Sequence, residues 1–196
     1  FGVAVGAHPS YPDRAGFGRV ELNPDPDELE AAVAAQLRAL DAAGADIRYV
    51  KPHGALYHAA GRDRAQADAV ARAVARLAER RGRPLSILAM GESLRAAAVA
   101  HGLPFVREAF LDRGYLPDGE LVPRGRDGDL LHDPADVAAR AVRLARDGVV
   151  ASVVGGELST DAVSLCLHGD SPSAVAMARA VRAALDAAGV PVRAPW

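Results

Sequence analysis

Short apolar runs alternate along this chain with longer segments of helical periodicity, and no other feature limits the possible folds as strongly. The runs lie at residues 3–5, 47–50, 85–89, 105–106 and 163–167, each of strand rather than helix length. Asp25-Pro26-Asp27-Glu28 has the form of an N-cap, a proline at the first helical position and a capping-box acid. Leu29, Val33, Leu37 and Leu40 then recur at helical spacing as far as Gly44. Asp133-Pro134-Ala135-Asp136 opens a second helix with Val137, Ala141 and Leu144 on one face and Gly148 past its end. Ser171-Pro172 opens a third that carries Val175, Ala178, Val181 and Leu185 before Gly189, and residues 63–82 and 92–102 give two more. Such alternation argues for an α/β fold of parallel strands joined by right-handed crossovers, in an open doubly wound sheet or a closed barrel. The segment 112–129 interrupts the pattern. Its turn signals, Asp118-Gly119 and residues 125–128, predict a hairpin-like excursion with residues 121–124 as a strand.

A chain of 196 residues is long enough for one domain that buries about 70% of its unfolded surface, and no linker or repeat divides residues 1–196. The formal net charge of -2 points away from nucleic acid and from an acidic membrane surface. No apolar run approaches the ~20 residues that cross a bilayer. One cysteine, Cys166, excludes an internal disulfide framework and a multi-cysteine zinc site, and fits a reducing, cytoplasmic compartment. The apolar opening FGVAVGAHPS reads as the interior of a fold already under way.

Lysine occurs once, at Lys51 in YVKPHGALY, in a chain that otherwise uses arginine for every fixed positive charge. Arginine is the default cation under GC-rich codon bias, so a retained ammonium suggests a need for a compact point charge that a planar guanidinium does not replace.

The polar residues that carry chemistry follow the strands. His8 comes after the first, Lys51 and His53 after the second, Glu108 and then Asp112-Arg113 after the fourth, and His168-Gly169-Asp170 after the last. In parallel α/β folds the carboxyl ends of the strands form one rim, where loops build the site. Strand parity puts His8 inward with Ala4 and Gly6 and sends Val3 and Val5 toward the helices. Lys51 goes inward with Tyr49 and Ile47, and His168 with Cys166 and Ser164, leaving Val163, Leu165 and Leu167 to the helix layer. Arg107 breaks this parity and calls for a bulge or an early strand end. A single strand-end histidine is usually structural, but three on one rim beside acids favour a site. His101 reads as a helix C-terminal dipole partner, His132 as local structure and Cys166 as core. Pro9 and Pro52 turn the chain at the rim. Asp13-Arg14 and Gly16-Phe17-Gly18-Arg19 then make a loop long enough to reach over the mouth. Neither a phosphate-binding P-loop nor a dinucleotide fingerprint is present.

GAHPSYPDRAGFGR, VKPHGALY, EAFLDRGYLPDGELVPR and CLHGD, in this order and spacing, resemble the LamB/YcsF family over nearly the whole chain. The resemblance implies a (β/α) barrel of the seven-stranded type found in polysaccharide deacetylases. It also implies ATP-dependent opening of 5-oxo-L-proline to L-glutamate, carried out with partner subunits B and C. The family pattern begins with an Asp-rich strand and a His-bearing strand end, both absent here, so the barrel is expected to lack its first strand or strands. Smaller departures are Val20, His58 and Asp129 in place of arginine, asparagine and alanine. On this reading Lys51, His53, His8, Glu108, Asp112, His168 and Asp170 are catalytic candidates. Arg113, Arg124, Tyr57, Asp13 and Arg19 contact the substrate, ATP is the co-substrate, and His8 with His53 could hold a divalent cation. Two alternatives stay open: a stand-alone metal-dependent hydrolase of N-acyl or carbohydrate substrates, and a scaffold without catalytic function that positions its partners.

Overall fold

The computed structural model describes residues 2–195. Although no linker is visible in the sequence, contacts gather the chain into two compact units that divide between Val106 and Arg107.

The first unit contains β1 (Val5–Ala7), α1 (Pro26–Ala42), β2 (Ile47–Val50), α2 (Gly54–Arg62), α3 (Arg64–Arg81), β3 (Ser86–Ala89) and α4 (Glu92–Ala100). Its strands are parallel, with Ala7 opposite Val50, Tyr49 opposite Ser86 and Val50 opposite Ile87. The β1–β2 register shifts between Val5 and Gly6, where the Tyr49 ring lies so close to Gly6 that a Cβ there would sit 2.1 Å from Cε2. Helix ends follow the predicted chemistry. The Asp25 carboxylate accepts from the backbone N–H groups of Asp27 and Glu28 with Pro26 at the first helical position, and Asp63 accepts from Gln66 N–H at the start of α3. Leu29, Val33 and Leu37 of α1 and Val70, Val74 and Leu77 of α3 are buried with Ile47, Val50, Leu85 and Ile87. Each such side chain contributes about 1.5–3 kcal/mol by leaving water. Helix α2 crosses the turn between β3 and α4 backbone on backbone: a Cβ on Gly91 would lie 2.1 Å from Gly61 Cα.

The second unit takes in most of β4 (Phe105–Phe110), then α5 (Pro134–Asp147), β5 (Val149–Ala151), β6 (Glu157–Ser159), β7 (Ser164–Cys166) and α6 (Ala174–Ala187). β4 and β7 are parallel, with Glu108 opposite Ser164 and Phe110 opposite Cys166. β5 and β6 form an antiparallel hairpin that turns at Gly155 and Gly156, both at positive φ. Asp133 caps α5 by accepting from Ala135 N–H.

The α/β class holds, with six helices and, among the described residues, five strands paired in parallel; the remaining two make the hairpin. Several local expectations are corrected. β1 starts at Val5 rather than residue 3, and Val3 and Val5 are exposed rather than packed under helices, because Ala7, not Val5, takes the buried position at this end. Val163 is likewise exposed and lies outside β7. β4 runs on to Phe110 with no bulge: Arg107 Nε meets Asp161 Oδ1 at 2.6 Å, so its charge is neutralised at the strand while Glu108 is buried. Helix α6 begins two residues later than Ser171-Pro172 implied, with Ser173 as its N-cap. The excursion after β4 forms isolated bridges, Arg113 with Leu130 and Tyr115 with Leu121, rather than a full strand. Cys166 is half-buried. His101 ends α4 as expected and pairs through Nε2 with Asp68 at 2.7 Å.

Candidate active site

In the first unit the strand ladder continues past the ends of β1 and β2. Lys51 N–H donates to Ala7 O at 2.9 Å and His53 N–H to Pro9 O at 2.8 Å, which fixes His8, Lys51 and His53 in register. The side chains then form a chain of contacts. His8 Nδ1 lies 2.7 Å from Lys51 O, His8 Nε2 lies 3.0 Å from His53 Nδ1, and His53 Nε2 lies 2.9 Å from Phe17 O. A carbonyl oxygen only accepts, so both outer nitrogens carry hydrogen, and the central contact needs a third between the rings. Two neutral imidazoles carry two hydrogens. Neutral rings therefore present two acceptors to each other, and a third hydrogen or a cation between them is what would join them.

With hydrogen on both outer nitrogens, neutral rings leave His8 Nε2 and His53 Nδ1 with lone pairs facing each other at 3.0 Å, two donors of the kind a divalent cation takes. Among the described residues no group of three His, Cys, Asp or Glu side chains could hold one.

The Lys51 ammonium sits 5.7 Å from the centroid of the Tyr57 ring, a cation–π distance. Tyr57 is buried on α2 and supports the lysine. The loop from His8 to Arg19 is firmly tied. Gln36 accepts from Ser10 N–H at 3.0 Å and donates to Ser10 O at 2.8 Å, and the buried Tyr11 hydroxyl bonds Gln66. Asp13 accepts from Gly16 N–H through Oδ1 and from Gly18 N–H through its carbonyl, both at 2.8 Å, so this acid shapes the loop. The Arg19 guanidinium lies over the Phe17 ring at 5.5 Å. Gly54, at φ +59°, allows Ala55 N–H to reach Gly18 O at 2.9 Å; a Cβ on Gly54 would lie 2.4 Å from that oxygen.

In the second unit the Asp112 carboxylate, only 2% exposed, accepts from His168 Nδ1 at 3.0 Å and from His168 N–H at 3.3 Å. Burial pushes the Asp112 carboxyl up, but the hydrogen bond and charge of His168, with the backbone N–H, outweigh it and hold the group below the usual carboxylate range. The pairing fixes the hydrogen of His168 on Nδ1 and leaves Nε2 as the basic nitrogen, the arrangement used for proton transfer. Phe110 stacks on the imidazole with ring centroids 5.5 Å apart.

Arg113 takes a different place from the one its sequence suggested. It is buried and donates from Nε to Asp129 O at 2.9 Å and from a terminal nitrogen to Val122 O at 2.6 Å. It therefore ties the excursion 112–131 together. Burial and the nearby Arg124 charge push its guanidinium down. Tyr115 reinforces the same corner: its hydroxyl accepts from Phe110 N–H at 2.6 Å, and burial pushes its phenol up to about 12. Arg124 and Asp170 are exposed, and Glu108 is buried within β4 rather than past its end.

Motif order and the geometry of these strand ends can be compared with known proteins. The sequence matches the LamB/YcsF family over residues 1–195. The chain belongs to this family. Within it, a protein of Streptomyces griseus named as the A subunit of 5-oxoprolinase is 50% identical over 98% of this chain and 78% of its own length. One of the same name from Thermus thermophilus is 48% identical over 98% and 78%. The crystal structure of a lactam utilization protein, also from Thermus thermophilus, superposes with a TM-score of 0.85 at 44% identity, covering 98% of this chain and 77% of that one. No helix among the described residues is long and apolar enough to cross a membrane.

Sequence reasoning named His8, Lys51, His53, Asp112 and His168, and the structure joins them as the two histidine-centred clusters just described. It missed Phe17, Gln36 and Gln66, which work through backbone groups or as anchors. The one available signal was a large residue between two glycines in GFG.

Proposed function

We propose that this LamB/YcsF chain is the A subunit of a 5-oxoprolinase and that, with partner subunits B and C, it opens 5-oxo-L-proline to L-glutamate coupled to ATP hydrolysis. The observation that carries the reading is identity near 50% across 98% of the chain to relatives bearing that name. Its strands are taken to belong to a seven-stranded (β/α) barrel of the deacetylase-like kind, and one cysteine suits a cytoplasmic location.

A five-membered lactam resists hydrolysis. Transfer of the γ-phosphoryl group to its oxygen gives an imidate phosphate that water can attack. Loss of the ring nitrogen as the amine then leaves an acyl phosphate, which a second water hydrolyses to glutamate and phosphate. The Lys51 ammonium, steadied over Tyr57, offers a point charge that follows an oxyanion or phosphoryl oxygen. Within the second unit His168, oriented by Asp112, presents Nε2 as a group able to take up and return a proton. Arg124, in the second unit, is an exposed guanidinium available to a carboxylate. Any divalent cation on this reading accompanies the nucleotide phosphates.

The test is 5-oxoproline-dependent ATP turnover by the chain reconstituted with subunits B and C. Lys51→Ala should lower kcat/KM by about a hundredfold to a thousandfold, and Lys51→Arg should not restore it. Full turnover in Lys51→Ala would remove the lysine from the mechanism, and absence of 5-oxoproline-dependent turnover in the wild-type complex would remove the function.

A further inference from the structure

We infer that Phe17 is a positioning residue whose main-chain carbonyl, held out by a left-handed backbone, sets the ring orientation and tautomer of His53. Among the described residues Phe17 is the one non-glycine at positive φ, at +55°. A bulky side chain is disfavoured in that region, and such strain persists only where the surroundings impose it.

Here they do. Gly18 follows at φ +67° and packs so closely that a Cβ would lie 2.7 Å from Ser10 Cβ and 3.2 Å from His53 Cδ2. Gly18 N–H is bound to Asp13 O and Gly18 O to Ala55 N–H, so the residue after Phe17 is tied on both sides. The left-handed turn then directs Phe17 O to His53 Nε2 at 2.9 Å, which requires the hydrogen on Nε2 and turns Nδ1 toward His8. The Phe17 ring meets the imidazole edge-on at 5.2 Å and also carries the Arg19 guanidinium, although it is 68% exposed. An exposed aromatic in a strained conformation has no core-packing reason to be there. Its carbonyl, by contrast, is engaged by a ring of the candidate site.

The inference rests on the proposed role of His53 in ring opening, and its test separates the two. Backbone conformation can be varied with little change to the loop elsewhere. Phe17→Asn and Phe17→Gly accept a left-handed backbone, whereas Phe17→Val resists it. The His53 tautomer is read on the full-length chain labelled with [15N]histidine by long-range proton–nitrogen spectra, with His53→Gln giving the assignment. Turnover is read on the complex with subunits B and C. Phe17→Asn and Phe17→Gly should keep hydrogen on His53 Nε2. Phe17→Val should lose it and reduce kcat about tenfold to a hundredfold relative to Phe17→Asn, with KM moving less. Should Phe17→Val not fold, Phe17→Ala reads the same signal at smaller amplitude.

A wild-type imidazole signal in Phe17→Val, or in Phe17→Ala where that substitute is used, would overturn the inference. Equal loss in Phe17→Asn, Phe17→Gly and Phe17→Val would also overturn it, by assigning the effect to the aromatic ring. A changed tautomer with unchanged turnover would uphold the positioning and remove His53 from the proposed reaction instead.

Discussion

Replacing Asp112 with asparagine tests the Asp112–His168 pair through stability alone, without substrate or partners. The carboxylate accepts two N–H donors, one from the imidazole and one from the His168 backbone. Hydrogen bonds to a charged group contribute about 1.5–3 kcal/mol each, and asparagine keeps one acceptor oxygen. Asp112→Asn should therefore lower stability by about 2 kcal/mol at pH 7, or about 4–8 °C in Tm for a chain of this size. The pH dependence has a definite sign. The folded-state pKa of Asp112 is depressed below its unfolded value of about 3.9. Its stabilisation is thus complete above about pH 5 and disappears as pH falls through the folded value. The difference between wild type and Asp112→Asn should be widest from pH 5 upward and close in acid. Urea unfolding of both proteins between pH 3 and 8 measures it. A gap of constant size across that range, or none at pH 7, would refute the reasoning.

Arg113→Leu should lower stability by about 2–4 kcal/mol, because the carbonyls of Val122 and Asp129 lose a buried donor; chemical denaturation gives the value. Gly54→Ala combines φ +59° with a 2.4 Å approach to Gly18 O and should cost about 1–3 kcal/mol, visible as faster proteolysis between residues 14 and 19. Asp25→Ala removes the acceptor for Asp27 and Glu28 N–H and should cost about 1 kcal/mol by thermal unfolding.

The helices were readable wherever an acid capped them, as at Asp25, Asp63 and Asp133, because a cap and the periodic stripe behind it are local. Helix α2 was not readable. It starts directly after Pro52-His53, in a stretch that looks like a turn, and its N-cap His53 makes no side-chain capping bond. β4 was cut short because Arg107 breaks the strand parity; the partner that admits it is Asp161, distant in sequence. The strand-end rule found His8, Lys51, His53, Asp112 and His168, since position after an apolar run is also local. Their pairings were beyond reach. That Asp112 belongs to His168 and that Arg113 turns inward to loop carbonyls depend on the path of residues 112–131, where turn signals and one short apolar run at 121–124 were all there was to read.

The contact of Gly61 with Gly91 bears on how this protein could be altered. A methyl group on Gly91 would drive backbone into backbone, whereas one on Gly61 would meet Gly91 Cα at 3.2 Å and ask it to give by only a few tenths of an ångström, so the two positions offer unequal leverage on how far α2 stands from the start of α4. The height of Tyr57 under the lysine is gauged by that bare main chain, and Gly61 is the milder place from which to move it.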